Sequence, residues 1–378
     1  MPPIWDIFCK VVDNFGDAGV CWRLAQILQR EHGLRVRLWL DDLATLRALA
    51  PAVDPASAPQ EVEGISILRW TDQPAMHDAD VVIEAFGCGL PDAYVTRMAA
   101  RSCPPLWIVL EYLSAESWVD SHHGMPSPHP RLSLQRYFFF PGFTAASGGL
   151  LREADLIGRR EAFGDGARSA FWRNLSFDVP APSVLTLSLF AYADAPVTAL
   201  LTAIANDGEP AIVAVPDGVL MPSVRAFFGA TDDAARSWRR GALEVRALPF
   251  LPQWRYDELL WACELNFVRG EDSLVRALWA ARPLVWQPYR QDDGAHLRKM
   301  EAFLQHYCAG MSAAALGPVT ALWRAWNGAA VDWNTALWSE FRAVREDWAV
   351  HAGRRAQDFA ESAEMAAELV KFVRNRVE

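Results

Sequence analysis

The sequence predicts an α/β protein made of two Rossmann-like domains, and three observations carry that prediction. Short apolar runs alternate with helical patterns through most of the chain. That rhythm breaks once, between about residues 121 and 182, and then resumes. At 378 residues the chain is also longer than one hydrophobic core ordinarily supports.

The elements follow in order. Ile4 to Val12 is an apolar run suited to a buried parallel strand. The turn cluster Asp13-Asn14-Phe15-Gly16-Asp17 ends it, and a helix is expected from Ala18 to Glu31 with Val20, Leu24, Ile27 and Leu28 inward. Gly33 stops that helix. Arg35 to Leu40 reads as a strand, Asp42 to Leu49 as a short helix, and Ile65 to Trp70 and Val81 to Phe86 as strands. Pro91 to Ala100 suits a helix with proline in its first turn, and Leu106 to Leu110 returns as a strand. Ser121 to Gly149 is rich in His, Pro, Ser and Gly and reads as an irregular insertion closed by one more strand at the aromatic cluster Tyr137 to Phe140. The charged, proline-bearing stretch Arg152 to Pro182 holds the expected linker near its end. A second series then runs strand 183–189, helix 196–205, strands 211–215 and 244–248, helix 255–262, strand 265–268, helix 273–281, strand 283–286 and helix 294–307. The remainder is helical and closes with an amphipathic helix from about Gly353 to Asn375. The domains are therefore expected at 1–180 and 181–350, facing each other across a cleft, with a C-terminal helix at 351–378.

Composition narrows the function. Hydrophobic residues make up 52% and charged residues 22%, the balance of a folded chain. The net charge of −10 argues against general affinity for nucleic acid. Seventeen tryptophans are hard to bury completely, so many are expected partly exposed or lining a cleft. The six cysteines are scattered without a C-x-x-C pair and read as free thiols of a reducing compartment. With no signal-like N-terminus and no stretch of transmembrane length, the protein is expected to be cytoplasmic and to have no membrane partner.

Two constellations can carry chemistry. Asp13 ends the first strand and Asp17 opens the first helix, which places two carboxylates at the carboxyl edge of a parallel sheet, where ligands bind. Asp17 can accept from the helix's orphan N–H groups, and these together with the macrodipole would keep it ionised. The pair also fits a plain N-cap and a turn aspartate. No G-x-G-x-x-G follows this strand, so its edge is left free for an acceptor. The second constellation is Asn266-Phe267-Val268-Arg269-Gly270-Glu271-Asp272-Ser273-Leu274, a buried strand running through a glycine turn into a helix that Ser273 can cap. Such a start exposes N–H groups to a phosphate, and Arg269 adds a bidentate fork. Glu271 and Asp272 would repel an anion and should therefore turn away. Asp78-Ala79-Asp80 spells a D-x-D, but it precedes a strand, and His122, His123 and His129 lie in a proline-broken loop; both read as non-metal features, and no metal is expected.

The stretch Asp13-Asn14-Phe15-Gly16-Asp17-Ala18-Gly19-Val20-Cys21-Trp22-Arg23 and the later Arg269-Gly270-Glu271-Asp272-Ser273 resemble the bacterial elongation factor P arginine rhamnosyltransferases. So do Leu189 to Tyr192, Leu248 to Gln253 and Trp286 to Tyr289. The resemblance spans nearly the full length. It implies a GT-B fold, with C-terminal helices packing back towards the N-terminal domain. It also implies dTDP-β-L-rhamnose as donor and an arginine of elongation factor P as the acceptor, modified with inversion. Asp17 is similar to the family's general base, and Asp13 to the residue that helps hold the guanidinium. Arg269, Asp272, Ser273 and Tyr289 match positions around the pyrophosphate, and Phe190, Tyr192, Phe250 and Gln253 match the thymidine pocket. Glu271 matches a residue the family needs. Two other readings stay open: a GT-B enzyme using another nucleotide sugar, and a non-catalytic protein that binds a translation factor.

Overall fold

The computed structural model describes residues 2–13, 15–70, 78–232, 234–291, 294–329 and 333–377; Asn14 of the first motif lies outside the described residues. The chain forms two compact units, 1–154 together with 359–378, and 155–358.

The first unit holds eight strands: β1 (Ile4–Cys9), β2 (Arg35–Leu40), β3 (Gln60–Val62), β4 (Ile65–Arg69), β5 (Val81–Ala85), β6 (Leu106–Leu110), β7 (Pro126–Pro128) and β8 (Gln135–Phe139). Their order is β3-β4-β2-β1-β5-β6-β8-β7, parallel except for the edge hairpins β3–β4 and β7–β8. β1 pairs with β2 on one side and β5 on the other, so the sheet changes direction at β1, the place where open α/β sheets carry ligands. Five of the six β1 residues are buried, as expected for a parallel strand covered on both faces. Asp6 is the charged residue among them. It is tied to Arg37 by two bonds of 2.5 and 2.8 Å and to the Tyr94 hydroxyl at 2.5 Å, which answers the cost of burying it.

The second unit holds β9 (Leu185–Leu189), β10 (Ala211–Pro216), β11 (Ser237–Arg240), β12 (Leu243–Leu248), β13 (Leu265–Arg269) and β14 (Leu284–Gln287), in the order β11-β12-β10-β9-β13-β14. Only β11 runs antiparallel, and the direction changes between β9 and β13. The unit begins earlier than the linker expected near residue 180. Residues 155–180 are not connecting chain: the helices Leu156–Ala162 and Asp165–Asn174 form there, and Phe171, Trp172 and Leu175 pack with Ala214 and Leu248 of the second sheet and with Leu259 of the helix Gln253–Ala262.

The single C-terminal helix expected from Gly353 is two helices. Thr335–Ala360 ends, and Met365–Val377 starts after a break at which Glu364 accepts from the N–H groups of Ala366 and Ala367 at 2.9 and 2.7 Å. This last helix returns to the first unit, where the Phe372 ring meets His123, Tyr137 and Phe139 at 5.7–6.1 Å. Leu150 bridges to Glu364 and holds the return in place.

The tryptophans are mostly core. Trp5, Trp39, Trp172, Trp279, Trp323, Trp326, Trp338 and Trp348 are among the largest fully buried side chains, and the strongly exposed ones are Trp118 and Trp254. An aromatic ring buries roughly 150–250 Å², worth about 4–6 kcal/mol at about 25 cal/mol per Å². The rings therefore help to hold the two cores together rather than lining a site. Among the described residues no helix is long and apolar enough to cross a membrane.

Candidate active site

At the carboxyl edge of the first sheet, the helix Phe15–Arg30 starts at once after the β1 turn, and Asp17 is its third residue. The side chain does not cap the helix. It reaches back, and its Oδ2 accepts the N–H groups of Val12 and Asp13, both at 2.9 Å. Its Oδ1 accepts the Tyr112 hydroxyl at 3.3 Å. Asp17 is 2% exposed, and among the described residues no cation pairs with it. Burial raises its pKa above the ordinary value; the Asp13 charge adds to this, and the two backbone donors and Tyr112 oppose it without cancelling it. The expectation that the helix's own N–H groups hold Asp17 is corrected: the donors come from the loop before the helix, and desolvation outweighs their effect on its pKa.

Gly16 explains how two carboxylates share this turn. Its N–H donates to the Asp13 carbonyl at 2.8 Å, and a Cβ on it would lie 2.9 Å from Asp13 Oδ2. The glycine is needed for the space that the Asp13 carboxylate occupies. Trp22 and Arg23 of the same motif are buried supports, Arg23 pairing with Glu153 at 2.8 Å.

Tyr112 and Phe86 escaped the sequence reading. They leave β6 and β5, the strands next in order beside β1, and their rings stack at 4.5 Å and 15°. Phe86 adopts a left-handed backbone, φ 57°, a conformation that costs a non-glycine residue about 1–2 kcal/mol. No local pattern marks either residue; only the strand order brings them to Asp17.

In the second unit the helix Gly270–Trp279 starts directly at the end of β13. Gly270 makes the turn at φ 64°, a region glycine enters without steric penalty. Ser273 is therefore inside the helix and not its cap, a correction to the expected boundary; its hydroxyl lies beside that of Tyr256, whose pKa burial pushes upward. The guanidinium of Arg269 lies between two rings, 4.7 Å from the centre of Phe190 and 4.5 Å from that of Tyr192, in cation–π contact with both. Tyr192 meets the half-exposed Tyr289 edge to face at 5.6 Å, and Phe190 meets Tyr256 at 5.7 Å. Four residues matched to the donor, Phe190, Tyr192, Arg269 and Tyr289, thus stand together at the β9/β13 change of direction.

The acids of this motif are drawn to neighbours. Asp272 Oδ2 accepts from Gln253 Nε2 at 3.2 Å, and Glu271 accepts from Lys299 Nζ at 2.5 Å. Phe250 is half-buried, in the loop between β12 and the helix Gln253–Ala262. Gln287 was also missed: it accepts the Tyr192 N–H at 2.9 Å and sets the loop that carries this ring.

The weaker features have ordinary partners. Asp80 accepts the Ile4 N–H at 2.8 Å, His123 Nδ1 accepts from Phe140 N–H at 3.1 Å, and His129 Nδ1 accepts from Leu132 N–H at 3.1 Å. All six cysteines are free thiols; Cys103 is exposed and Cys88 half-buried.

Comparison with known proteins places this geometry. The family model for the elongation factor P (EF-P) rhamnosyltransferase EarP matches residues 5–374. Protein-arginine rhamnosyltransferases of Pseudomonas putida and Pseudomonas aeruginosa are 46% and 43% identical, over 99% and 97% of this chain and 100% and 98% of theirs. A solved structure concerned with EarP-mediated arginine glycosylation of translation elongation factor EF-P is 34% identical, with a TM-score of 0.68 and 99% of both chains covered. MurG of Acinetobacter baumannii, 11% identical with a TM-score of 0.51 over 99% of this chain and 100% of its own, shares the GT-B fold alone. On this match, and with its motifs gathered at the two sheet edges, the chain belongs to the EarP family of elongation factor P rhamnosyltransferases.

Proposed function

We propose that this chain transfers rhamnose from dTDP-β-L-rhamnose to an arginine side chain of elongation factor P, with inversion, in the cytoplasm and without a metal. Family membership supports rhamnosyl transfer to a protein arginine. The observation that carries the residue assignment is Asp17, a buried carboxylate with no cation partner among the described residues. Asp6, equally buried, has Arg37. Asp17 lacks what Asp6 has, and an acceptor guanidinium is the cation that would complete it.

Two pKa values limit the mechanism. A guanidinium titrates at about 12.5–13.8 and an aspartate at about 3.9, so moving a proton between them before reaction would cost on the order of 12 kcal/mol. Burial lifts Asp17 and narrows that gap without closing it. Proton loss is therefore coupled to C–N bond formation. Asp13 and Asp17 grip the guanidinium through charge-assisted bonds and turn one nitrogen towards the anomeric carbon. In the second unit, Arg269 and the N–H groups at the start of the helix Gly270–Trp279 meet the negative charge that develops on the leaving dTDP. Phe190, Tyr192, Phe250 and Gln253 are assigned to the nucleoside, and Asp272, Ser273 and Tyr289 to the diphosphate side. Glu271, held by Lys299, is assigned to the donor end.

The test is the intact mass of elongation factor P after incubation with this protein and dTDP-β-L-rhamnose. A gain of one deoxyhexose, absent when the acceptor arginine is replaced by lysine, is the expected result. Transfer from a UDP-sugar in place of dTDP-rhamnose would overturn the donor assignment.

A further inference from the structure

We infer that Tyr112 is a positioning residue for the transfer: its hydroxyl occupies one lone pair of Asp17 Oδ1 and leaves that oxygen a single direction from which to take the guanidinium proton. The inference rests on Asp17 being the base.

Counting lone pairs gives the reason. A carboxylate oxygen offers about two acceptor sites. Oδ2 of Asp17 spends both on the N–H groups of Val12 and Asp13, which clamp it to the loop. Oδ1 spends one on Tyr112, so one remains. The Tyr112 ring is itself held flat on Phe86, whose left-handed backbone turns its side chain at the end of β5. Three adjacent strands, β1, β5 and β6, thus contribute to orienting one oxygen.

The step balances as follows. A guanidinium nitrogen forms the C–N bond to the anomeric carbon while one of its protons passes to the open site on Oδ1. The anomeric C–O bond breaks, and its electron pair leaves with the dTDP. Tyr112 keeps its own proton and goes on donating to the other site. The groups around Asp17 include Asp13 on the same turn, whose charge it feels, the Tyr112 hydroxyl after β6, and the Cys9 thiol on β1, which is hydrogen-bonded to Cys21.

Tyr112→Phe removes the hydroxyl and keeps the ring on Phe86. The expected result is a fall in kcat of about tenfold with the donor KM unchanged and the acid limb of kcat/KM moved to higher pH, because a donor to the charged form has been lost. Phe86→Leu, which keeps the hydroxyl and removes its platform, is expected to shift the same limb by less. An unshifted limb and wild-type kcat in a folded Tyr112→Phe protein overturn the inference, and so does a loss confined to the acceptor KM. Asp17→Asn is measured beside them. If it remains active, the assignment of Asp17 falls whatever Tyr112→Phe does; if it is inactive while Tyr112→Phe behaves as wild type, only the role of Tyr112 falls.

Discussion

The two sheet edges start from the same plan and dispose their charges differently. In each, a parallel strand at the change of direction runs through a glycine-bearing turn into a helix. At the first edge, Asp17 folds back from the helix onto the loop and occupies its N–H groups, leaving a buried negative centre that no described cation balances. At the second, the acids turn to Gln253 and Lys299, and the cation Arg269 stands between two rings beside the helix start. The lesson is that a helix N-terminus alone does not set the charge around it; the side chains of the first turn do, and the proposed cation and anion sites rest on that difference.

This contrast can be broken one edge at a time. The largest effect is expected from Asp17→Ala: a loss of about 10²–10⁴-fold in kcat, the range of a general base, with dTDP affinity by calorimetry unchanged. A parallel loss of dTDP affinity would show that the edges are not separate in function. Next comes Arg269→Ala, expected to lower kcat/KM by about 10²–10³-fold while binding of unmodified elongation factor P stays as it was. Gly16→Ala adds a Cβ 2.9 Å from Asp13 Oδ2 and should displace that carboxylate, costing about tenfold in kcat/KM for the acceptor, on the scale of one weakened charge-assisted bond of about 1.5–3 kcal/mol.

The smallest effect sharpens the comparison through stability. The folded-state pKa of Asp17 lies above its unfolded value. Between the two, the folded protein holds a proton that the unfolded chain has lost, so this group's contribution to stability falls as pH rises through that window, and its full penalty is present above the folded value. Asp17→Asn, which can still accept from Val12 and Asp13, should therefore melt higher than wild type at neutral pH. That advantage should vanish below the ordinary aspartate range. Activity runs the other way: wild-type kcat/KM should fall with acid through a pKa above that range, because the base must be ionised.

Much of this was legible in the residues. The parallel strands show as mostly apolar runs because both of their faces are covered, and each run read as a strand forms one. The edge strands β3, β7 and β11 did not show, since residues such as Glu61, Ser237 and Arg239 face water and leave no apolar signal. The helices at 156–162 and 165–174 were hidden by charge, their few apolar residues being spent on the second sheet. At the motifs the sequence misplaces the register: Ser273 reads as a cap because the helix start at Gly270 depends on a backbone angle, φ 64°, that composition cannot reveal. Tyr112 was beyond reach, as it meets Asp17 across 95 residues of chain.

The return of the last helix to the first unit has a consequence for synthesis. The second unit lies wholly within 155–358, whereas the first needs both 1–154 and 359–378. As the chain leaves the ribosome, the later unit can finish its core while the earlier one still waits for Phe372 and the Leu150–Glu364 bridge. The unit that holds the proposed base is thus begun first and completed last, so a ribosome stalled before residue 359 would present a finished second unit and an unfinished first one.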